Sequence, residues 1–285
     1  MGLHDVEIEY KTVQEIGYMR KAALIVKLMH DQLREAAQPG VSLLELDQMC
    51  ADIIAAKGAQ SNFKGYYGYP ATACISVNDT VVHGIPDGYQ LQEGDIVSFD
   101  CGCYVIAEGK QWHGDSAFTM IVGDELKAPA RAIELNQLTY KAMTAGIASL
   151  ATGKSVACVG EAVEQIVAQA ISDNGWEAGI VEEFIGHGIG TKMHMEPEVY
   201  NYRIRGRQPR LRAGMVLCIE PILTTGSPAV VTADDQWTSK TRDGSLAAHW
   251  ESQVAITARG ISVLNEKDWG ASMLEPYGIR PVVLG

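Results

Sequence analysis

Two stretches of this chain carry the same pattern. Residues 91–100 read LQEGDIVSFD and residues 211–220 read LRAGMVLCIE. Each runs leucine, two polar-to-small residues, glycine, then an apolar segment that ends on a carboxylate, so Asp100 matches Glu220. HGDSAFTMIVG from His113 likewise matches HWESQVAITARG from His249, which pairs Asp115 with Glu251. A third match sets His83-Gly84-Ile85-Pro86 against His187-Gly188-Ile189-Gly190. The offsets are about 100–135 residues, too long for a solenoid. Two similar halves packed about one pseudo-twofold axis are the natural reading of such a repeat.

The helices repeat as well. One 3.6-residue pattern runs from about Thr12 to Ala37, with Ile16, Met19, Ala23, Val26 and Leu33 on one face; another runs from about Ala128 to Leu150, opened by Pro129. Gly40-Val41-Ser42 then precedes an amphipathic run to about Lys57, and Gly153-Lys154-Ser155 precedes one to about Ser172. Ser42 and Ser155 are the expected N-caps, with Glu45 completing a capping box at Ser42. Each half reads helix, helix, strands, over about 12–123 and 126–260. The expected fold is α+β, a mostly antiparallel, curved sheet with helices on one face. No linker separates the halves, so residues 1–285 are expected to form a single domain. Hydrophobic residues make up 47% of the chain, enough for a large core.

Several function classes are disfavoured. A formal net charge of −12 disfavours broad electrostatic binding to nucleic acid. No apolar run approaches the roughly 20 residues that span a bilayer. Met1 to Tyr10 carries Asp5, Glu7 and Glu9 without a basic-then-apolar leader, so no secretory signal is expected. Gly2 would suit myristoylation, but Val6 stands where that motif needs Ser or Thr. Cys50, Cys74, Cys101, Cys103, Cys158 and Cys218 form no CxxC pair and read as reduced, mostly buried thiols of a cytoplasmic protein. Arg203, Arg205, Arg207, Arg210 and Arg212 crowd one stretch of this acidic chain. Such runs usually just face water.

The carboxylates carry the chemistry. Asp100 follows Ile96-Val97-Ser98-Phe99, and Glu220 follows Met215-Val216-Leu217-Cys218-Ile219. An unpaired carboxylate in such a strand costs several kcal/mol. A strand end reaching solvent, or an arginine partner, would answer for any one of them. Four at repeat-related positions converge on the pseudo-axis, where two divalent cations balance four charges. Oxygen ligands with one imidazole suit Mn, Fe, Co or Zn. His83 and His187 both sit in glycine-flanked loops, and spacing alone does not choose between them.

These residues resemble the methionine aminopeptidase family, within the wider pita-bread metallopeptidases that include prolidase and aminopeptidase P. The similarity spans about Ile16 to Gly260. It is carried by Gly68-Tyr69-Pro70, Ser76-Val77-Asn78 through His83-Gly84-Ile85-Pro86-Asp87, Phe99-Asp100, His113-Gly114-Asp115, Gly186-His187-Gly188-Ile189-Gly190, Ile219-Glu220-Pro221 and Trp250-Glu251. Asn-x-x-x-x-His-Gly-Ile-Pro marks methionine aminopeptidases among these relatives. The short N-terminal region without a zinc-binding extension resembles the bacterial type I, and the absence of a long helical insertion argues against type II.

The resemblance implies a pita-bread fold around a dinuclear metal centre. Asp100, Asp115, His187, Glu220 and Glu251 would hold two divalent ions, with Asp115 and Glu251 shared between them. Glu220 would carry protons, and His83 and His194 would contact substrate. Tyr66, Tyr69, Cys74, Met193 and Trp237 would line the methionine pocket, although packing alone also explains apolar residues there. The implied activity is removal of the initiator methionine from nascent chains when the second residue is small. Implied partners are N-terminal peptides and a ribosome contact, with no membrane and no specific DNA, for a monomer. Two alternatives stand beside it: an Xaa-Pro peptidase of the same fold, whose large N-terminal domain is missing here, and a non-catalytic ribosome-associated binding protein. The chain departs from the family at three places. The hairpin between Asp100 and Asp115 is about four residues longer, so it could reach substrate or a neighbouring domain. Met193 stands where an aromatic is common. Ser252-Gln253 follows Glu251 where His-Thr is frequent, which bears on the support around that ligand and not on the ligand itself.

Overall fold

A computed structural model describes residues 7–175 and 177–284. The readings placed on Gly2 and Val6, and most of the Met1–Tyr10 stretch, lie outside the described residues.

Each half begins with two helices. α1 (Val13–Ala36) starts at Thr12, whose side chain accepts from the Glu15 N–H while the Glu15 carboxylate returns to the Thr12 N–H. α2 (Leu43–Ala56) uses the same capping box at Ser42 and Glu45. Each box stabilises its helix by about 1 kcal/mol. Ile16, Met19, Ala23, Val26 and Leu33 all face inward from α1. In the second half, α3 (Ala130–Ser149) follows Pro129, and α4 (Ala157–Asn174) ends at Gly175 in the left-handed region, φ 68°. Ser155 is not the cap of α4. It is drawn into a β-bridge with Arg210. Val156, already αR, precedes the helix with its N–H on the Pro209 carbonyl at 3.0 Å. A neighbouring loop's backbone, not a serine hydroxyl, meets this terminus.

The strands are β1 (Gln60–Ser61), β2 (Ala73–Val77), β3 (Thr80–Val82), β4 (Ile96–Ala107) and β5 (Lys110–Ile121) in the first half. The second half has β6 (Gly179–Ile180), β7 (Gly186–Gly188), β8 (Met195–Val199), β9 (Val216–Ile219), β10 (Ile222–Thr224), β11 (Val230–Thr232), β12 (Ser239–Thr241), β13 (Ala247–His249), β14 (Ser252–Thr257) and β15 (Gly260–Val263). Every strand pairing among the described residues is antiparallel. The repeat becomes visible as two long ribbons. In the first, β4 and β5 form a hairpin from Ile96↔Ile121 to Ala107↔Lys110. In the second, β9 and β10 run against β14 and β13 in one unbroken register, Val216↔Ala255 through Thr224↔Ala247, with gaps only at Glu220-Pro221 and Trp250-Glu251. The ribbons meet where Ala117 bridges Glu251.

Each half has its own core. Leu33, Leu46, Ile75, Phe99 and Phe118 belong to the first, and Leu135, Met143, Val159, Leu217 and Val254 to the second. Burying each such side chain contributes about 1.5–3 kcal/mol. Trp250 packs against both cores and donates to Asn136 Oδ1 at 2.7 Å, so the residue beside Glu251 sits where the halves lock together. The extended hairpin turns at Glu108 and Gly109, both at positive φ, and folds back on α1. Tyr18 and Gln14 donate to Glu108 Oε1 at 3.0 and 2.8 Å, and Trp112 is 1% exposed. The insertion is thus an intramolecular brace. Among the described residues no helix is long and apolar enough to cross a membrane.

Candidate metal centre and substrate cavity

The carboxylates meet because of register. Asp100 lies opposite Ala117 and Asp115 opposite Gly102 on the β4–β5 ladder, so the two aspartates are diagonal neighbours on one face. Asp115 needs Gly114 before it: a Cβ there would lie 2.6 Å from the Ala22 carbonyl carbon of α1. The glycine lets α1 press directly on the strand beside the site. Glu220 and Glu251 occupy the two gaps in the second ribbon, where the backbone leaves the ladder and the carboxylates can turn toward the pseudo-axis. Ligand atoms of Asp100, Asp115 and Glu251 lie within 4.8 Å of one another, as do those of His187, Cys218 and Glu251 and those of Asp115, His187 and His194. His187 Nε2 is 3.4 Å from Glu220 Oε1. These distances tie together the five residues expected from the sequence as metal ligands. His187 stands on the short strand β7, while His83 joins none of the three groups.

The electrostatics show what such a cluster lacks. Asp100 Oδ1, Asp115 Oδ1, Glu220 Oε1 and Glu251 Oε1 are buried without a hydrogen-bond partner. Among the described residues no lysine or arginine forms an ion pair with any of the four. Burial pushes the Asp100 carboxyl up to about 7. Burial and the neighbouring carboxylates push Asp115, Glu220 and Glu251 well above the usual range. Burial pushes the His187 imidazole down to about 3, which keeps it neutral and able to ligate. Four orphaned carboxylate oxygens with a neutral imidazole form a donor set that fits divalent cations of the borderline type.

All twelve residues named from the sequence line one cavity of about 660 Å³. Tyr69, Cys74 and Met193 form a buried apolar cluster with Phe63 and Ala71, and Tyr66, Ile85 and Trp237 pack against it. Tyr69 hydrogen-bonds the Ala73 and Gly84 carbonyls, at 3.2 and 2.9 Å, which fixes the pocket wall to the His83 loop. Asn78, at φ 54°, makes the turn from β2 to β3, and its amide bonds Asp95 and the Ile96 N–H. That turn sends the chain on to His83, also left-handed at φ 58°. This is the local reason for the Asn-to-His spacing. His83 lies edge-on to Phe184 and Trp237. Burial, then His194, pushes its pKa down to about 4. His194 sits exposed at the mouth, 2.9 Å from the Tyr66 hydroxyl through Nδ1.

Some lining residues were not anticipated. Phe63 and Phe184 belong to the walls, and Glu183, Glu196 and Glu198 also line the cavity. The aromatic run Phe63-Lys64-Gly65-Tyr66-Tyr67 was a usable signal for Phe63; nothing local marks the others. His249 Nε2 lies 4.0 Å from Glu220. The five arginines are exposed and none lines the cavity. Their loop leaves β8 and packs on α4, where the Arg203 N–H donates to Glu164 at 2.9 Å. The extended hairpin does not line the cavity either, so within the chain it does not reach substrate.

Residues 17–258 match the model of metallopeptidase family M24, and the chain belongs to that family. Its fold is the pita-bread fold of these enzymes. Its relatives include methionine aminopeptidases. Methionine aminopeptidase 1 of Mycobacterium tuberculosis is 42% identical over 258 residues, 90% of this chain and 94% of the relative. The enzyme of Clostridium perfringens is 42% identical over 254 residues, 89% and 97% of the two chains. The crystal structure of methionine aminopeptidase from Rickettsia prowazekii superposes with a TM-score of 0.83 at 30% identity, covering 91% of this chain and all of that one.

Proposed function

We propose that this chain is a metalloexopeptidase that removes an N-terminal methionine when the second residue is small. The observation that carries the reading is one cavity holding both the orphaned carboxylate cluster with His187 and the apolar pocket of Tyr69, Cys74, Met193, Tyr66 and Trp237. Asp100, Asp115, His187, Glu220 and Glu251 would hold two divalent ions (Mn, Fe, Co or Zn). When bound, they supply a water of lowered pKa and polarise the scissile carbonyl.

This chain's side chains do the rest. The pocket takes the thioether side chain, whose sulfur interacts favourably with aromatic edges. Glu220 takes a proton from the attacking water and passes it to the leaving amine. The Tyr66 hydroxyl holds His194 Nδ1 at 2.9 Å; in the tautomer that accepts this bond the ring proton is on Nε2 and donates to the carbonyl oxygen as charge develops there. His83, neutral and pinned by the left-handed backbone, borders the space for the second residue. A bulky residue there displaces the carbonyl, and 1 Å can cost about a hundredfold in rate. Met-Ala-Ser should be cleaved much faster than Met-Leu-Ser, and Ala-Pro-Ser hardly at all. Preferential cleavage of Ala-Pro-Ser would move the reading to an Xaa-Pro peptidase; failure on all three peptides by protein with metal bound would favour a binding protein.

The reading places the enzyme in the cytoplasm as a monomer acting on emerging chains, in keeping with six free cysteines and no disulfide. The exposed arginines between 203 and 212 would meet ribosomal RNA. Ribosome co-sedimentation that is lost with salt and with all five replaced by serine supports this contact; co-sedimentation indifferent to both leaves a solvated loop.

A further inference from the structure

The seam between the two halves is closed partly by a side chain. The outer edge of β5 meets the second half at two backbone points. Ala117 and Glu251 exchange hydrogen bonds at 3.2 and 2.9 Å, and the His113 N–H donates to the Gly190 carbonyl at 3.1 Å. Between those points the Asp115 N–H and the His113 carbonyl have no backbone partner across the seam, because β14 has turned to pair with β9. Gln253 fills the gap. It is fully buried; its Oε1 accepts from the Asp115 N–H at 3.3 Å and its Nε2 donates to the His113 carbonyl at 3.2 Å. A primary amide offers an acceptor and donors at the spacing of a peptide group, so it stands in for the missing backbone. Gln253 is itself anchored. Its N–H donates to Asn265 Oδ1 at 3.1 Å, and its carbonyl accepts from the Leu264 N–H at 2.8 Å.

We propose that Gln253 is a positioning residue that sets the separation of Asp115 and Glu251, and through it the affinity of the centre for its ions. The proposal rests on the reading of these two carboxylates as shared metal ligands. They come from different halves, their oxygens lie within 4.8 Å, and they repel each other when both are ionised. The Ala117–Glu251 bridge holds Asp115 from one side only. The amide holds it from the other, tying it to a point two residues beyond Glu251. This is the place where the chain departs from the frequent His-Thr, and a threonine hydroxyl is too short to bridge both groups.

The test is calorimetric titration of metal-stripped protein with Mn²⁺, for the native chain, Gln253→Met and Gln253→Asn. Methionine keeps the shape and removes the amide; asparagine keeps an amide one methylene short. The Mn²⁺ Kd should weaken 10–100-fold in Gln253→Met and by less in Gln253→Asn, the range seen when groups that orient ligands are removed. The kcat for Met-Ala-Ser should fall with little change in KM, and the visible spectrum of the Co²⁺-loaded variant should shift. A folded Gln253→Met with native Mn²⁺ affinity and Co²⁺ spectrum overturns the proposal, whatever its melting temperature. Should that variant not fold, native affinity in Gln253→Asn overturns it equally. A native chain that takes up no divalent ion overturns the metal-centre reading, and the proposal with it.

Discussion

Asp100→Asn should stabilise the metal-free protein and lose part of the stabilisation that metal gives the native chain. In the metal-free chain, burial raises the Asp100 carboxyl from 3.8 to about 7. The native state therefore holds a proton that the unfolded chain has released between those values, so stability falls as pH rises through this window. The shift is roughly 3 units at about 1.4 kcal/mol each, a penalty of about 4 kcal/mol, fully present above pH 7 and absent below about pH 4. Asparagine has nearly the same shape and no charge. At pH 8 in chelator, the variant should melt about 8 °C above the native chain, at roughly 2 °C per kcal/mol for a protein of this size. The gain should shrink steadily toward pH 4. Mn²⁺ should narrow the gap, because the native chain gains about 2.7 kcal/mol at a hundred times Kd and the variant, one ligand short, gains less. The assay is scanning calorimetry of both proteins at three pH values, with and without Mn²⁺. A variant less stable than the native chain at pH 8 without metal, or one equally stabilised by Mn²⁺, would refute the reasoning.

Three further outcomes follow from the same geometry. Glu251→Ala should lose bound metal and activity together, whereas Glu220→Gln should lose far more kcat than substrate affinity, read from elemental analysis beside steady-state kinetics. Met193→Ala opens the pocket wall and should lower kcat/KM for Met-Ala-Ser about tenfold, a loss of about 1.4 kcal/mol; an unchanged value would remove Met193 from the pocket. Trp112→Ala should cost about 3–5 kcal/mol of stability, seen in chemical denaturation, yet leave kcat and KM near native values, since the extended hairpin braces α1 and does not line the cavity.

The parts of this molecule legible in its sequence are those written in local pattern. The two helical pairs lie within a residue or two of their expected ends, because caps and apolar spacing are local. The match of Asp100 to Glu220 and of Asp115 to Glu251 carried both fold class and candidate ligands, since a carboxylate ending a buried strand has few ways to be tolerated. The difference between His83 and His187 is tertiary. Both have glycine neighbours, and only the pairing of β7 with β8 and β9 brings one of them to the carboxylates. Ser155 looked like a cap because its chemistry suits one, but a loop near residue 210 had claimed its position. Gln253 reads as an alternating buried residue of a strand; its amide matters only because the two halves leave a gap in front of it.

The central claim is that the carboxylate cluster and the apolar pocket together make a metal-dependent methionine exopeptidase. The most direct measurement is release of free methionine from Met-Ala-Ser by protein stripped with chelator, checked by elemental analysis, and then reconstituted with Mn²⁺, Fe²⁺ or Co²⁺. The account predicts no release from the stripped protein and recovery on adding at least one of these ions. Full release by the metal-free preparation would contradict it.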